Sequence, residues 1–350
     1  MINNELDESK MKNVTMREVA QEAGVAQSTV SHFLNGTAPV ALETRNKILQ
    51  AIQKLDYHPN VTARNFKKRK TSLIGLFIPD VTNLFYAELA KGVIDAAKEK
   101  KYNVLLYATD YQRKLEKDFF ELVVSKQVDG VVIGYNLIEE RLLDKLEKAG
   151  VPMALVDVYA ANSSCPSVVV NNEEGIRQGI SYLIELGHRR IAYLSEPPYA
   201  LALVERQRSF LRWARDWKLD FRENWILVEK KQRNRVEIGF SLGKKLLKEH
   251  PLPTAVMCSS DLVAIGAMKA FLSFGLRIPE DISLIGFDDI LLCSYVHPSL
   301  TSIKQPKYEM GRTAVKFLEG VIAGNNSGEN EKKVVINPGL VKRLSCRAIE

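Results

Sequence analysis

The chain lacks the features of a membrane-spanning or secreted protein. No stretch of its 350 residues approaches the roughly 18 consecutive apolar residues that a transmembrane helix needs. The first residues, MINNELDESKMKN, are polar and acidic, without the basic start and apolar core of a secretory signal. The four cysteines are scattered along the chain, which indicates reduced thiols and no paired metal ligands. We therefore expect a cytoplasmic protein.

Motifs typical of common enzyme classes are also missing. The sequence has no G-x-G-x-x-G after a strand, no phosphate loop that ends in Gly-Lys-Ser/Thr, and no G-x-S-x-G nucleophile turn. Histidine occurs only five times, and His188 follows a predicted helix end, where a structural role is expected. The sequence therefore predicts neither catalysis nor a metal or cofactor.

Positive charge is concentrated in one segment. Residues 44–70 hold eight Lys or Arg against one acid, Asp56, a net of +7, which equals the net charge of the whole chain. A basic segment beside a neutral body is typical of a protein that binds a polyanion. A solubilising linker would have the same composition, and charge alone leaves the two interpretations equal.

The stretch VTMREVAQEAGVAQSTVSHFLNG predicts two short helices joined by a glycine turn. Thr15 and Glu18 have capping-box spacing, and Gly24 suits a left-handed helix end. Val30 and Phe33 then face inward on the second helix, which defines a helix-turn-helix. Its outward polar side chains are expected in a DNA major groove: Gln27, Ser28, Thr29, Ser31 and His32.

A third helix is predicted in LETRNKILQAIQKLDY. Its apolar residues, expected to close a small core, are Ile48, Leu49, Ile52 and Leu55. The motif YHPN ends this helix because proline lacks an amide donor. The following VTARNFK is too short to form a stable helix alone in water, so we expect it to fold against a partner.

From Ser72 onward, apolar strand-like runs alternate with amphipathic helical stretches. Examples of the strand-like runs are LIGLFIP, VDGVVIG and ISLIGFDD. This alternation predicts parallel sheets with helices on both faces. Eight or more such units exceed one sheet, so two subdomains are expected. Ligands of such sheets bind beyond the carboxyl ends of the strands.

The motifs REVAQEAGVAQSTVSHFLNG, TR at 44–45 and YHPN at 57–60 resemble the headpiece of the LacI–GalR family of bacterial transcription regulators. The resemblance extends along nearly the whole chain. It implies an all-α helix-turn-helix headpiece at 14–58, a hinge at 59–71, and an α/β effector domain at 72–346. That domain would have two lobes, like periplasmic sugar-binding proteins: 72–160 with 307–332, and 161–306 with 333–346.

The resemblance also assigns DNA contacts outside the recognition helix. Phe66 occupies the position where the family places a leucine that wedges into the minor groove, and Asn60 and Ala63 lie in the same hinge segment. The residues expected at the DNA backbone are Thr15, Lys67, Lys68, Arg69 and Lys70. Packing of Phe66 on the effector domain is the alternative.

The effector contacts that the resemblance implies are Asn83, Phe85, Tyr86, Asp157, Arg206, Asn234, Ser260 and Asp288. Arg206 and Asp288, a bidentate donor and an acceptor, suit vicinal hydroxyls or an anionic group. Ser209 and Ser260 replace the glycine and asparagine common in the family, and no aromatic residue stands at 230–237. These departures count against a plain hexose and leave room for a more polar or phosphorylated ligand, so the expected effector is a sugar or sugar derivative.

The sequence thus predicts a bacterial, nucleoid-associated repressor of carbohydrate-related genes. It would bind a pseudo-palindromic operator in double-stranded DNA as a homodimer, under control of a small molecule in the interlobe cleft. One alternative within the family has a phosphoprotein as co-effector. A solute-binding transport protein and a sugar-active enzyme are the alternatives from other classes, and DNA binding or turnover assays would separate them.

Overall fold

The computed structural model describes residues 14–57, 70–110, 112–125, 127–134, 140–158, 163–220, 222–231, 234–324 and 333–349. The chain divides into two compact units, one ending at Lys70 and the other beginning at Thr71. Hinge residues 58–69, which include Asn60, Ala63, Phe66, Lys67, Lys68 and Arg69, lie outside the described ranges.

The first unit consists of three helices: α1 (Met16–Ala23), α2 (Gln27–Asn35) and α3 (Leu42–Lys54). The predicted capping box is confirmed, because Thr15 N donates to Glu18 Oε2 at 2.7 Å and Glu18 N donates to Thr15 Oγ1 at 3.4 Å. Gly24 ends α1 with φ at +66°, a conformation that glycine adopts without strain.

A small core joins the three helices. Its buried members are Val19, Ala20, Ala23, Val30, Ile48, Ala51 and Tyr57, and Phe33, Ile52 and Leu55 pack against them. The prediction that Leu49 belongs to this core is wrong, because its side chain is 47% exposed. With 3.6 residues per turn, Ile48, Ile52 and Leu55 define the inner face of α3, and Leu49 falls beyond its edge.

The second unit contains two six-stranded sheets, each of which defines a lobe. The strand order in the first sheet is β11-β5-β4-β3-β1-β2, and all its pairs are parallel. Its strands are β1 (Leu73–Ile78), β2 (Asn103–Ala108), β3 (Gly130–Ile133), β4 (Met153–Val156), β5 (Ser167–Val170) and β11 (Lys333–Ile336). The helices of this lobe are α4 (Leu84–Glu99), α5 (Arg113–Val124), α6 (Glu140–Lys148) and α11 (Lys307–Ile322).

The second sheet has the order β12-β10-β9-β8-β6-β7 and is parallel except for its antiparallel edge pair β10–β12. Its strands are β6 (Ile191–Ser195), β7 (Ile226–Val228), β8 (Ala255–Cys258), β9 (Ser283–Asp288), β10 (Thr301–Lys304) and β12 (Gly339–Val341). Its helices are α7 (Asn172–Glu185), α8 (Leu201–Asp216), α9 (Arg235–Leu246) and α10 (Asp261–Ser273), with short 3₁₀ turns at Glu223–Trp225 and Leu291–Ser294.

The lobe boundaries predicted at 160 and 332 are wrong by one strand each. Strands β5 and β11, expected in the second lobe, pair with each other in the first sheet. Val168 and Val170 of β5 are buried in the core of that sheet, which explains why the chain crosses only after them. The chain therefore changes lobes between β5 and α7, between β10 and α11, and between β11 and β12.

Small residues allow the closest helix packing in the second lobe. A Cβ atom added to Gly266 of α10 would collide with the backbone carbonyl oxygen of Val236 in α9, and one added to Gly239 would collide with that of Val263. The two helices therefore touch backbone to backbone. Of the helices in the described ranges, none is long and apolar enough to cross a membrane.

Candidate DNA-binding and effector sites

Helix α2 presents its predicted polar residues to different degrees. Gln27, Ser28 and His32 are exposed, whereas Thr29 and Ser31 are half-buried. Buried Val30 anchors the helix to the core of the first unit. A recognition helix needs polar side chains exposed to the major groove and a buried residue that holds the helix to its domain. Helix α2 has both.

Local hydrogen bonds orient two of these residues. His32 Nδ1 lies 2.8 Å from Thr37 Oγ1, which points the other ring nitrogen, Nε2, away from this contact. Asn35 Nδ2 donates to the Ser31 carbonyl oxygen at 2.8 Å and lies 3.3 Å from Ser31 Oγ. Side chains in and just after the last turn of α2 therefore hold this end of the helix in place.

Thr15 is a weak candidate for a DNA backbone contact. Its amide and its hydroxyl both donate to Glu18 Oε2, at 2.7 and 2.9 Å. A phosphate needs a hydrogen-bond donor, and Thr15 offers none while the capping box is intact. Lys70, the one predicted backbone contact of the basic segment that the structure describes, is exposed.

A cavity of about 40 Å³ lies at the carboxyl ends of strands from both lobes, and most of the predicted effector residues line it. These are Asn83, Phe85, Tyr86, Asp157, Arg206, Ser260 and Asp288. The strand-end rule therefore predicted the place of the cavity. Such a volume holds only a few water molecules.

Asn234 does not line this cavity. Its Oδ1 instead accepts hydrogen bonds from the amides of Val236 and Glu237, at 2.9 and 3.3 Å, and so caps α9. This arrangement is a standard role for asparagine at a helix start. Asn234 therefore serves in this structure as a helix cap, outside the set of residues that line the cavity.

Arg206 of α8 is the most firmly held side chain of the cavity. Its Nε donates to Asn172 Oδ1 and its Nη1 to the Ser259 carbonyl oxygen, both at 2.8 Å. Asp288 Oδ1 lies 3.6 Å from Nη1, and the guanidinium carbon stands 3.8 Å from the centre of the Phe287 ring. A guanidinium fixed on four sides presents a rigid surface to a ligand.

Asp157 directly follows β4 and Asp288 is the last residue of β9, and both have unusual backbone geometry. Their φ angles are +56° and +124°, in a region that costs an ordinary residue about 1–3 kcal/mol. Burial raises the pKa of Asp157 to about 6, against the opposing effect of Arg206. Burial likewise raises the pKa of Asp288, against the opposing effect of Arg206.

The sequence did not predict a second charged cluster in the same cavity. Arg235 Nε donates to Glu196 Oε2 at 2.6 Å, and its Nη2 donates to Tyr199 Oη at 2.6 Å. Asp80 of the first lobe lies 3.8 Å from Arg235 Nη1, so this pair spans the cleft. Glu196 directly follows β6, and the strand-end rule could have found it. Arg235 opens a helix after a loop, and no local pattern indicates it.

The side chain of Asn83 fixes the start of α4, which forms the first-lobe side of the cavity. Its Oδ1 accepts from the amide of Phe85 at 3.1 Å and caps α4. The rings of Phe85 and Tyr86 meet edge to face, with centroids 5.0 Å apart. The start of α4 therefore places an amide and two aromatic rings at the cavity.

Gln305 is a further cavity residue that the sequence did not predict. It follows β10 at a lobe crossover, and its Nε2 donates to Asp288 Oδ1 at 2.6 Å. Lys307, the next but one residue, is fully buried and its Nζ donates to the Asp288 carbonyl oxygen at 2.6 Å. The crossover thus orients Asp288 from both its side chain and its backbone.

A helix-turn-helix unit followed by a two-lobed α/β domain with a polar interlobe cavity defines a ligand-binding transcription regulator. Comparison with known proteins gives the same class. Residues 15–60 match the bacterial regulatory proteins of the lacI family, and residues 180–346 match a periplasmic binding protein-like domain.

The curated relatives cover nearly the whole chain. The catabolite control protein A of Priestia megaterium is 35% identical over 309 residues, which are 87% of this chain and 92% of that protein. The transcriptional repressor PurR of Vibrio vulnificus is 34% identical over 337 residues, 96% of this chain and 99% of that protein. The chain belongs to the LacI family of DNA-binding transcription regulators.

A solved relative shows the same architecture. The lac repressor dimer bound to operator and the anti-inducer ONPF superposes with a TM-score of 0.85 at 27% identity, and the match covers 96% of this chain and all of that one. The complex of the regulator CelR with cellobiose covers 95% of this chain at 28% identity, with a TM-score of 0.71.

Proposed function

We propose that this protein is a repressor that binds a pseudo-palindromic operator as a homodimer, and that a small molecule in the interlobe cavity sets its operator affinity. The observation that carries the proposal is the cavity itself, where Arg206 and Asp288 of one lobe face Asn83 and Phe85 of the other. A ligand that contacts both lobes binds their closed and open arrangements with different affinity, which is the requirement for allosteric control.

The DNA-binding part of the proposal rests on α2 and the basic segment. Gln27, Ser28 and His32 supply exposed polar groups for base edges, and Thr29 and Ser31 lie beside them. In a two-fold symmetric dimer, the two recognition helices enter successive major grooves about 34–36 Å apart. The lac repressor structure, a dimer on its operator, supports this arrangement.

For the hinge we propose that Phe66 wedges into the minor groove at the operator centre, with Asn60 and Ala63 beside it. Opening a base step costs a few kcal/mol. Lys67, Lys68, Arg69 and Lys70 follow at once in the sequence, and their phosphate contacts would offset that cost through counterion release.

The protein acts in this proposal by binding alone, without catalysis, at the nucleoid of the bacterial cytoplasm where its operators lie. Its relatives are transcription regulators, which supports this view. A sugar or sugar derivative as the effector agrees with CelR, whose solved complex contains cellobiose.

The proposal is tested by substituting Arg206 with alanine. An operator is first selected from random DNA, and compounds that change its affinity for the wild-type protein are then found by fluorescence anisotropy. R206A should lose the response to such a compound, because the cavity loses its fixed guanidinium, and should retain its operator affinity without ligand if the compound is an inducer.

Asn234→Ala is the matched control, because Asn234 was predicted in the site but caps α9 outside the cavity. This variant should respond to the compound as the wild type does. A normal response of R206A at wild-type ligand concentrations would place the effector elsewhere and contradict the proposal.

A further inference from the structure

The cavity presents buried oxygen atoms that lack hydrogen-bond partners. Ser260 Oγ and Gln305 Oε1 are both unpartnered among the described residues, and these residues are 5% and 1% exposed. Gln305 Nε2 donates to Asp288 Oδ1, which fixes the orientation of the amide and leaves its oxygen, Oε1, without a donor among the described residues. A buried oxygen without a donor costs about 1–3 kcal/mol. A ligand that donates hydrogen bonds to both atoms removes that cost.

Negative groups outnumber positive groups around the cavity. Four carboxylates, those of Asp80, Asp157, Glu196 and Asp288, accompany two guanidiniums. Each guanidinium already has a carboxylate partner. Arg206 lies 3.6 Å from Asp288, and Arg235 lies 2.6 Å from Glu196. An anionic ligand such as a phosphorylated sugar would have to break these pairs, and doing so leaves buried carboxylates unpaired.

Asp157 is the carboxylate without a basic partner. Among the described residues it takes part in no ion pair within 4 Å and in no side-chain hydrogen bond. Its side chain lines the cavity at the end of β4. A half-buried carboxylate in this setting is stabilised by a cation that reaches it.

A second cavity of about 290 Å³ adjoins the first, since Asp157 and Ala202 line both. Its wall contains the carboxylates of Glu173 and Glu205 and the amides of Asn171 and Asn172, together with Arg208 and Lys333. The acceptor-rich surface therefore continues past Asp157, and a ligand bound there has room to extend.

We propose that the effector is a polyol that carries an ammonium group, as an amino sugar does, with the ammonium at Asp157 and hydroxyl groups donating to Ser260 and Gln305. The proposal rests on the function proposed above and names the ligand class of that site. It narrows the expectation of a sugar or sugar derivative and disfavours a phosphorylated one, because the structure supplies both arginines with carboxylate partners of their own.

The ionisation of the Asp157 carboxyl group agrees with a ligand that carries an ammonium group. Burial raises the pKa of Asp157 to about 6; among the charged groups that face it, Arg206 opposes the rise and Glu205 adds to it. An ammonium group binds the ionised carboxylate, which becomes the major form only above that pKa. Affinity for an amino sugar should therefore rise about ten-fold between pH 5 and pH 7, whereas affinity for a neutral sugar should not follow this trend.

Calorimetric titration of the full chain without DNA tests the proposal. The probes are glucosamine, galactosamine and mannosamine, each matched with its neutral hexose and with the hexose 6-phosphate. At least one amino sugar should bind at least about ten-fold tighter than its neutral match because of the added charge pair at Asp157, and the phosphate should bind more weakly than both.

The Asp157→Asn variant should lose the preference for the amino sugar but retain weak binding through the hydroxyl groups. Asp110→Asn is the matched control, because Asp110 also follows a strand with positive φ, +46°, but does not line the cavity. Tighter binding of a phosphorylated sugar, equal binding of amino and neutral sugars, binding of no amino sugar at millimolar concentration, or an unchanged preference in D157N would each overturn the proposal.

Failure of the proposed function gives a different result. Calorimetry measures binding to the protein alone, so a ligand that binds there without changing operator affinity contradicts allosteric control and leaves the ligand class standing. A ligand of another class that does change operator affinity contradicts only the ligand class.

Discussion

The cavity shows how single residues combine strain, burial and charge. Asp157 and Asp288 have positive φ angles and raised pKa values at strand ends that face the cleft. Neither feature helps the protein to fold, since strained backbone and buried carboxyl groups both lower stability. A ligand that binds at Asp157 and Asp288 can therefore offset the stability that these two residues cost.

Asp157→Asn should raise the free energy of unfolding near neutral pH. A pKa of about 6 in the folded protein lies above the usual value near 4, so the stability associated with protonated Asp157 is present below pH 4 and is lost as pH rises through about 6. The gain in D157N should reach about 2–3 kcal/mol at pH 7.5 and shrink toward pH 4. Urea denaturation at both pH values measures it. A gain of equal size at both would show that ionisation is not the cause.

At the scale of the element, the sequence predicts some parts of the fold better than others. The capping box at Thr15, the glycine end of α1 and the strand-end location of Asp288 follow from local spacing or from the family pattern, and the structure contains each. The lobe boundaries did not follow, because the assignment of β5 and β11 to the first sheet depends on pairing between distant segments. The position of Arg235 depends on the same long-range packing.

Substitution of Gly266 by alanine should destabilise the second unit strongly. The new Cβ would collide with the Val236 carbonyl oxygen and the Phe240 amide, which are backbone atoms that cannot rotate away. Overpacking of this kind costs about 1–3 kcal/mol or more, and denaturant unfolding measures it. Gly339→Ala is the control, because its Cβ would meet no atom within 4 Å. Equal stability of the two variants would contradict the close packing of α9 and α10.

At the scale of the whole molecule, the proposed control of DNA binding by a ligand depends on contacts between the lobes. Asp80 of the first lobe and Arg235 of the second approach to 3.8 Å. The distance between these two groups depends on how far the lobes close, so the pair would distinguish two states of the effector domain.

The proposed hinge wedge predicts that Phe66→Ala loses operator affinity and little else. The variant should bind the operator much more weakly, because the central base step is no longer held open, and should bind random DNA almost as the wild type does. Replacement of Lys67 and Lys68 by alanine should weaken both kinds of binding and reduce the salt slope by nearly one for each phosphate that is no longer neutralised. Fluorescence anisotropy at several salt concentrations measures all of these. Unchanged operator affinity in F66A, with a lowered thermal stability, would place Phe66 on the effector domain instead.

The central claim, a dimeric regulator that reads a symmetric operator, is tested most directly by selecting binding sites from random double-stranded DNA with the full-length protein. We expect an enriched two-fold symmetric sequence, with half-sites about one helical turn apart, bound by two chains per site in a mobility-shift assay with known concentrations. Enrichment of no sequence, or of an asymmetric half-site bound by a single chain, would contradict it.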